Sequence, residues 1–112
     1  MHMSNTTTEC QFCRVEHRAT VPTVHLNGTP AEHLRDDLQA AIEALRTGAQ
    51  AMAAAAPNGR DYYVQDAGAI QRVMNQHARR CTDLDRILTE LTEMRDHVQA
   101  VLDFKAEMRR PR

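Results

Sequence analysis

Two cysteines near the N-terminus have the spacing of half a zinc site. Cys10 and Cys13 are separated by two residues, and His17 and His25 follow them. A cysteine pair at this spacing points both sulfurs at one tetrahedral Zn²⁺, and two histidines would complete a closed site. The interval between the histidines exceeds the usual spacing of about three to five residues, so the competing interpretation is an arm with two free thiols. The sequence therefore predicts no cofactor, and zinc is the alternative that this spacing raises.

The densest group of recognition chemistry follows an Asn-Gly turn in the middle of the chain. Arginine and tyrosine dominate binding hot spots, and an arginine beside an aromatic face can hold a base or a phosphate. The sequence therefore predicts a ligand-binding or partner-binding surface made of Asn58, Arg60, Asp61, Tyr62 and Tyr63. The alternative, of equal weight, is that Arg60 and Asp61 pair with helix ends while the tyrosines close the end of a helical bundle.

His77 and Cys81 lie one helical turn apart and would be able to share a metal ion. No second pair of ligands is visible in the sequence, so we favour a packing role for both residues. In that interpretation the histidine hydrogen-bonds across an interface and the cysteine packs as a small apolar side chain. The other two helical histidines, His33 and His97, stand among charged residues and are expected to be solvated.

The residue pattern contains no constellation that would support catalysis. The cluster at Arg60–Tyr63 is accompanied by no nucleophile with a matching base, no glycine-rich phosphate loop and no pair of acids. We therefore predict a non-enzymatic protein with no catalytic residues.

Composition and charge limit the partners. The formal net charge is -1 and both signs are spread along the chain, which argues against binding to duplex nucleic acid. The longest apolar run has six residues, 51–56, whereas a membrane span needs about 20. The N-terminus has no basic-then-apolar leader pattern, and three cysteines are too few for a disulfide framework. These features favour a protein of the cytoplasm that does not contact a membrane.

Two helices are expected to position these residues. Thr29 is a good N-cap, Pro30 suits the first helical position, and Glu32 completes a capping box. The first helix should therefore begin at this point and stop before Pro57. Residues 1–28 have a different composition, so we divide the chain into an N-terminal arm with a candidate zinc knuckle, 1–28, and a helical hairpin domain, 29–112.

Apolar spacing predicts a long second helix. Asp66 is a suitable N-cap, and neither glycine nor proline occurs between Gly68 and Pro111. The residues that repeat at helical spacing are Ile70, Met74, His77, Cys81, Leu84, Leu88, Leu91, Met94, Val98 and Val101. In the arm, Val24 and Leu26 alternate with polar residues, which suits a short extended segment or strand.

The two helices are unequal in length. At 1.5 Å per residue, a second helix of about 40 residues would be about 60 Å long, and the first helix would leave Met94–Met108 uncovered. Another chain or the N-terminal arm would have to cover that part, unless a break near Asp96 creates a third helix. We favour an oligomeric, coiled-coil-like bundle.

The segment from Val24-His-Leu-Asn-Gly-Thr29 through Pro57-Asn-Gly-Arg-Asp-Tyr-Tyr63 to His77 resembles a family of small uncharacterised proteins encoded by bacteriophages and prophages. The resemblance covers most of residues 24–95, and its most specific part is Asn-Gly-Arg-Asp-Tyr-Tyr after an alanine-rich helix. It implies an accessory protein of the host-cell cytoplasm that binds a host protein, inhibits a defence system or assists the virion.

The sequence thus predicts an all-α helical hairpin with an extended N-terminal arm that forms a homodimer or a higher oligomer. The leading function is a phage-encoded inhibitor or adaptor that binds a host defence protein. One alternative is an oligomeric sponge that sequesters a small nucleotide signal, with Arg60 and the tyrosines at a subunit boundary. Another is a zinc-stabilised structural or virion-associated module built on Cys10 and Cys13.

Overall fold

The computed structural model describes the backbone of residues 8–9 and 16–111 and the side chains of residues 18–111. Helix α1 comprises Ala31–Ala54, and helix α2 comprises Ala69–Arg109, 41 residues without a break. Two short strands, β1 (Thr8–Glu9) and β2 (Glu16–His17), pair in antiparallel register. The predicted all-α class is confirmed for the described chain, and α2 continues through Asp96.

The chain divides into two compact units. The terminal unit comprises Met1–Ile42 and Thr89–Arg112, and the hairpin unit comprises Glu43–Leu88. The limits of these units fall inside the helices.

Helix α1 begins and ends close to the predicted positions. The carbonyl of Pro30 accepts the first helical hydrogen bond from the Leu34 N–H at 3.1 Å, so the helix starts one residue later than predicted. Proline has no backbone N–H, but the helix loses no hydrogen bond here, because the first N–H groups of a helix have no partner inside it. At the other end, the Ala55 N–H is shared between two carbonyls of the last turn, and the helix stops before Pro57.

Helix α2 starts three residues after the predicted cap. The carbonyl of Gly68 accepts the first helical bond from the Arg72 N–H at 3.0 Å, which makes Gly68 the N-cap. Asp66 instead supports the turn before the helix, because its Oδ1 accepts the Gly68 N–H and its Oδ2 accepts from Arg72 Nη2 at 2.9 Å. The hydrogen bond from Arg72 is the main reason that the pKa of Asp66 lies below its usual value, and backbone N–H groups add to it.

The only glycine inside α1, Gly48, offers a direct test of helix propensity. A Cβ at this position would meet no atom within 4 Å, and the residue is exposed. Glycine in a helix interior is less favourable than alanine by about 0.5–1 kcal/mol, because glycine loses more backbone entropy on folding. Gly48→Ala should therefore raise the free energy of unfolding by about that amount, measured by urea denaturation. An unchanged or lower value would contradict the open helical setting of this residue.

The terminal unit contains most of the deeply buried side chains that the structure describes. They are Ala31, Ile42, His97, Val98 and Val101. Across this unit, Arg95 Nη1 donates a hydrogen bond to Gln39 Oε1 at 2.7 Å, so the first part of α1 lies alongside this part of α2. The terminal unit therefore has an apolar core between the two helices.

Two sequence-based expectations about this part of α2 are wrong. Met94–Met108 is not uncovered throughout, because Val98 and Val101 are buried, whereas its large apolar residues Phe104 and Met108 are exposed. His97 is not solvated, because its exposed fraction is 5%. It lies one turn before Val101 and therefore shares the face of α2 that α1 covers.

The N-terminal arm also contacts α2 inside the terminal unit. The Glu93 carboxylate accepts the backbone N–H groups of Arg18, at 2.7 Å, and Ala19, at 3.1 Å. Beyond these residues, the segment with Val24 and Leu26 forms no strand and ends in a turn closed by the Gly28 N–H. The N-terminal arm thus covers part of α2, which is one of the alternatives that the sequence leaves open.

The apolar stripe of the hairpin unit is only half-buried. Among the described residues of this unit, Ala69 alone is buried. The half-buried members of the stripe are Ile70, His77, Cys81, Leu84 and Leu88. Met74 and Ile87 are exposed. Two helices alone leave such a stripe partly open to solvent, because each helix covers only one side of the other.

Candidate functional site

The residues that the sequence singled out for recognition lie on the loop that joins the two helices in the hairpin unit. We call residues 58–65 the tip loop. The loop contains one 3₁₀ turn, Gly59–Asp61. Asn58 caps this turn with extended backbone, and its Oδ1 accepts the Arg60 N–H at 2.9 Å. The Asn58 side chain therefore orders the loop from inside.

Further backbone hydrogen bonds hold the rest of the tip loop. The Gly59 carbonyl accepts the N–H groups of Tyr62, at 3.1 Å, and Tyr63, at 3.0 Å. The Tyr62 carbonyl accepts the Gln65 N–H at 3.0 Å. These consecutive turns order the backbone of the tip loop. The directions of its Cα–Cβ bonds are therefore defined as well.

The two tyrosines have different environments. Tyr62 is half-buried, as expected if it closes the end of the helical pair. Tyr63 is 78% exposed, and its neighbour Val64 is 76% exposed. An exposed tyrosine beside an exposed valine presents a small amphipathic surface with one phenol group. Val64 is not among the residues that the sequence predicts for this surface. The only sequence signal for Val64 is its position directly after the two tyrosines.

Arg60 and Asp61 are both exposed, and no hydrogen bond or ion pair of either side chain occurs among the described residues. The proposed pairing of these two residues with helix ends is therefore absent from the described structure. The tip loop thus presents one guanidinium and one carboxylate next to Tyr63. Such a set can bind through hydrogen bonds, charge and stacking, and it contains no nucleophile with a base.

The predicted zinc ligands fall mostly outside the described residues. Cys10 and Cys13 lie outside them, and only the backbone of His17 is described. His25 is exposed, and its ring lies against Gly28, where an added Cβ would come within 2.8 Å of Nε2. Among the described residues, no group of three or more His, Cys, Asp or Glu side chains is placed to hold a metal ion.

His77 and Cys81 do approach each other, and a residue of α1 joins them. Cys81 Sγ lies 3.6 Å from His77 Nε2 and 3.8 Å from Met52 Sδ. The i, i+4 spacing of the first pair is visible in the sequence, but Met52 is not, because its position depends on how α1 lies against α2. Met52, the third residue of this cluster, is therefore not predictable from the sequence.

A groove of about 660 Å³ occurs in the terminal unit, between arm residues 24–28 and residues 102–109 of α2. Two cationic side chains, Lys105 and Arg109, border it, and neither has an ion-pair partner among the described residues.

Neither described helix has a stretch that is both long and apolar enough to cross a lipid bilayer. A scan against protein-family models and searches of curated proteins and of solved structures found no match for this chain.

Proposed function

We propose that this chain is a non-enzymatic accessory protein that acts by binding a protein partner through its tip loop. The observation that carries the proposal is the exposure of Tyr63 and Val64, 78% and 76%, on a loop whose backbone is held by its own hydrogen bonds. In line with the family resemblance, the partner would be a bacterial host protein, and the chain would be a phage-encoded inhibitor or adaptor.

The ordered backbone of the tip loop supports this proposal energetically. A flexible loop loses conformational entropy when it binds, whereas a loop that is already ordered loses less. Tyr63 has few rotatable bonds and a large contact area, and the unpaired Arg60 adds hydrogen-bond donors. Together they have the composition of a small binding hot spot.

The half-buried stripe of the hairpin unit supports self-association as part of the same proposal. Side chains such as Leu84 and Leu88 retain exposed area, and Met74 and Ile87 are exposed. A second copy that packs on this stripe would remove that area from water, which favours association. In this proposal the second copy packs on residues 70–88 of α2, whereas the helix lengths alone pointed to Met94–Met108.

The test is a pull-down from a bacterial host lysate followed by native mass spectrometry, with wild type, Tyr63→Ala and Met108→Ala compared. Met108 is a matched control because it is an apolar side chain of similar exposure, 71%, in the other unit. We expect one partner to be retained by wild type and Met108→Ala. Tyr63→Ala should weaken binding by about 30-fold, as for a hot spot of about 2 kcal/mol. Equal retention by all three proteins would contradict a role for the tip loop, and a monomer mass would contradict self-association.

The nucleotide-sponge alternative uses the same two side chains, because Arg60 could neutralise a phosphate while Tyr63 stacks on a base. A nucleotide that binds the native state would raise the melting temperature by several degrees, and Arg60→Ala would abolish that increase. This result would replace the protein partner with a nucleotide. The zinc-module alternative requires stoichiometric zinc that is lost in Cys10→Ser.

A further inference from the structure

Three soft donor atoms converge inside the hairpin unit. Cys81 Sγ lies 3.6 Å from His77 Nε2 and 3.8 Å from Met52 Sδ, so the thiol is the centre of the cluster. All three residues are half-buried, which leaves the donors accessible to an ion but partly shielded from water. Two of the donors come from successive turns of α2, and the third comes from α1.

These separations match those between ligands of one metal ion. With a metal–sulfur bond of about 2.3 Å and a metal–nitrogen bond of about 2.0 Å, nitrogen and sulfur ligands at tetrahedral or trigonal angles lie about 3.5–3.7 Å apart. The corresponding separation between two sulfurs is about 3.8–4.0 Å. Both distances from Cys81 Sγ therefore fit ligands of a shared ion.

The donor set identifies the class of ion. A thiolate with a thioether is a soft pair that selects Cu(I), whereas Mg²⁺ and Ca²⁺ require oxygen ligands. Structural zinc sites take four ligands from cysteine, histidine and carboxylate side chains, and thioether sulfur is not among them. The charge of the site also favours Cu(I). One thiolate neutralises one monovalent cation, so the half-buried site has no net charge.

We propose that Met52, His77 and Cys81 form a binding site for one Cu(I) ion. On binding, Cys81 loses its thiol proton to solvent and forms a bond from Sγ to the metal, while His77 binds through neutral Nε2 and Met52 through Sδ. Copper enters and remains as Cu(I), so no electron is transferred. The site ties α1 to α2 within the hairpin unit, and Cu(I) should therefore also raise the melting temperature.

The test is an anaerobic titration of the full-length, reduced protein with Cu(I) against a chromogenic Cu(I) chelator. Cys10 and Cys13 are replaced by serine in every sample, so that thiols of the arm cannot contribute. We expect one Cu(I) per chain, with proton release on binding because the cysteine binds a metal as its thiolate.

Two variants of the proposed ligands and one control variant locate the ion. Met52→Leu keeps the volume of the side chain and removes only the thioether, so the fold should persist while Cu(I) affinity falls by about 10-fold or more. Met108→Leu makes the same change at an exposed methionine of α2 outside the hairpin unit and should leave the affinity unchanged. Cys81→Ser should abolish stoichiometric binding, with circular dichroism reporting whether the helices remain.

Three outcomes would overturn the proposal. The first is the absence of stoichiometric Cu(I) binding by the serine background. The second is an equal affinity of Met52→Leu and Met108→Leu, which would exclude the thioether as a ligand. The third is tighter binding of Zn²⁺ than of Cu(I) in a direct competition, which would assign a different ion to the site. None of these outcomes depends on the tip loop or on a protein partner.

Discussion

Ile42→Ala is expected to lower the free energy of unfolding by about 2–5 kcal/mol. Ile42 is 0% exposed and lies in the terminal unit with Val98 and Val101. The substitution removes three buried carbon atoms and leaves a cavity that the neighbouring side chains fill only in part. A small domain has a total stability of about 5–15 kcal/mol, so this change would remove a large part of it.

Urea denaturation followed by circular dichroism measures this effect. Ile87→Ala is the matched control, because the same atoms are removed from a side chain that is 39% exposed, and its loss should be clearly smaller. A loss for Ile42→Ala no greater than that of the control would show that the terminal unit does not form the core described above.

Val98→Asp is expected to destabilise the terminal unit by about 3–5 kcal/mol, the usual cost of leaving an uncompensated charge in a buried position. Val98 is 0% exposed, and the buried residues around it in the terminal unit are mostly apolar. The carboxylate would have to be protonated, or the unit would have to open to let water reach it. We therefore expect partial unfolding at room temperature.

Hydrogen exchange at neutral pH locates this effect. Amide protons of residues 31–42 and 93–101 should exchange much faster in Val98→Asp than in wild type, since these segments meet in the terminal unit. Val64→Asp is the matched control, because the same change at a valine that is 76% exposed should leave these amides protected. Unchanged protection in Val98→Asp would mean that this face of α2 is not buried.

Much of the local structure follows from the sequence, because it depends on residues that are close in the chain. Pro30 and Pro57 bound α1 to within a few residues, and the apolar stripe identifies α2 as one long helix. The Asn-Gly turn at Asn58 is also a local feature, since its cap joins residues two apart. Capping, helix propensity and turn chemistry act over a few residues and can be read without tertiary information.

The candidate sites were only partly predictable. Sequence reasoning selected Arg60 and Tyr63 by residue type, but their availability for binding depends on exposure, which differs between Tyr62 and Tyr63 although they are neighbours. The difference arises because consecutive residues of a turn point in different directions. The same reasoning omitted Val64, whose type alone carries no sign of recognition.

The sequence by itself determined which segments are helical, where they begin and end to within a few residues, and which residue types the connecting loop presents. Only the tertiary structure decided the register in which α1 lies against α2. That register buries His97 and Val98, sets Gln39 beside Arg95 and brings Met52 to Cys81. A periodic apolar stripe allows several registers that differ by one turn, because each buries similar side chains. The selection among them comes from contacts between residues far apart in the chain, which no local pattern records.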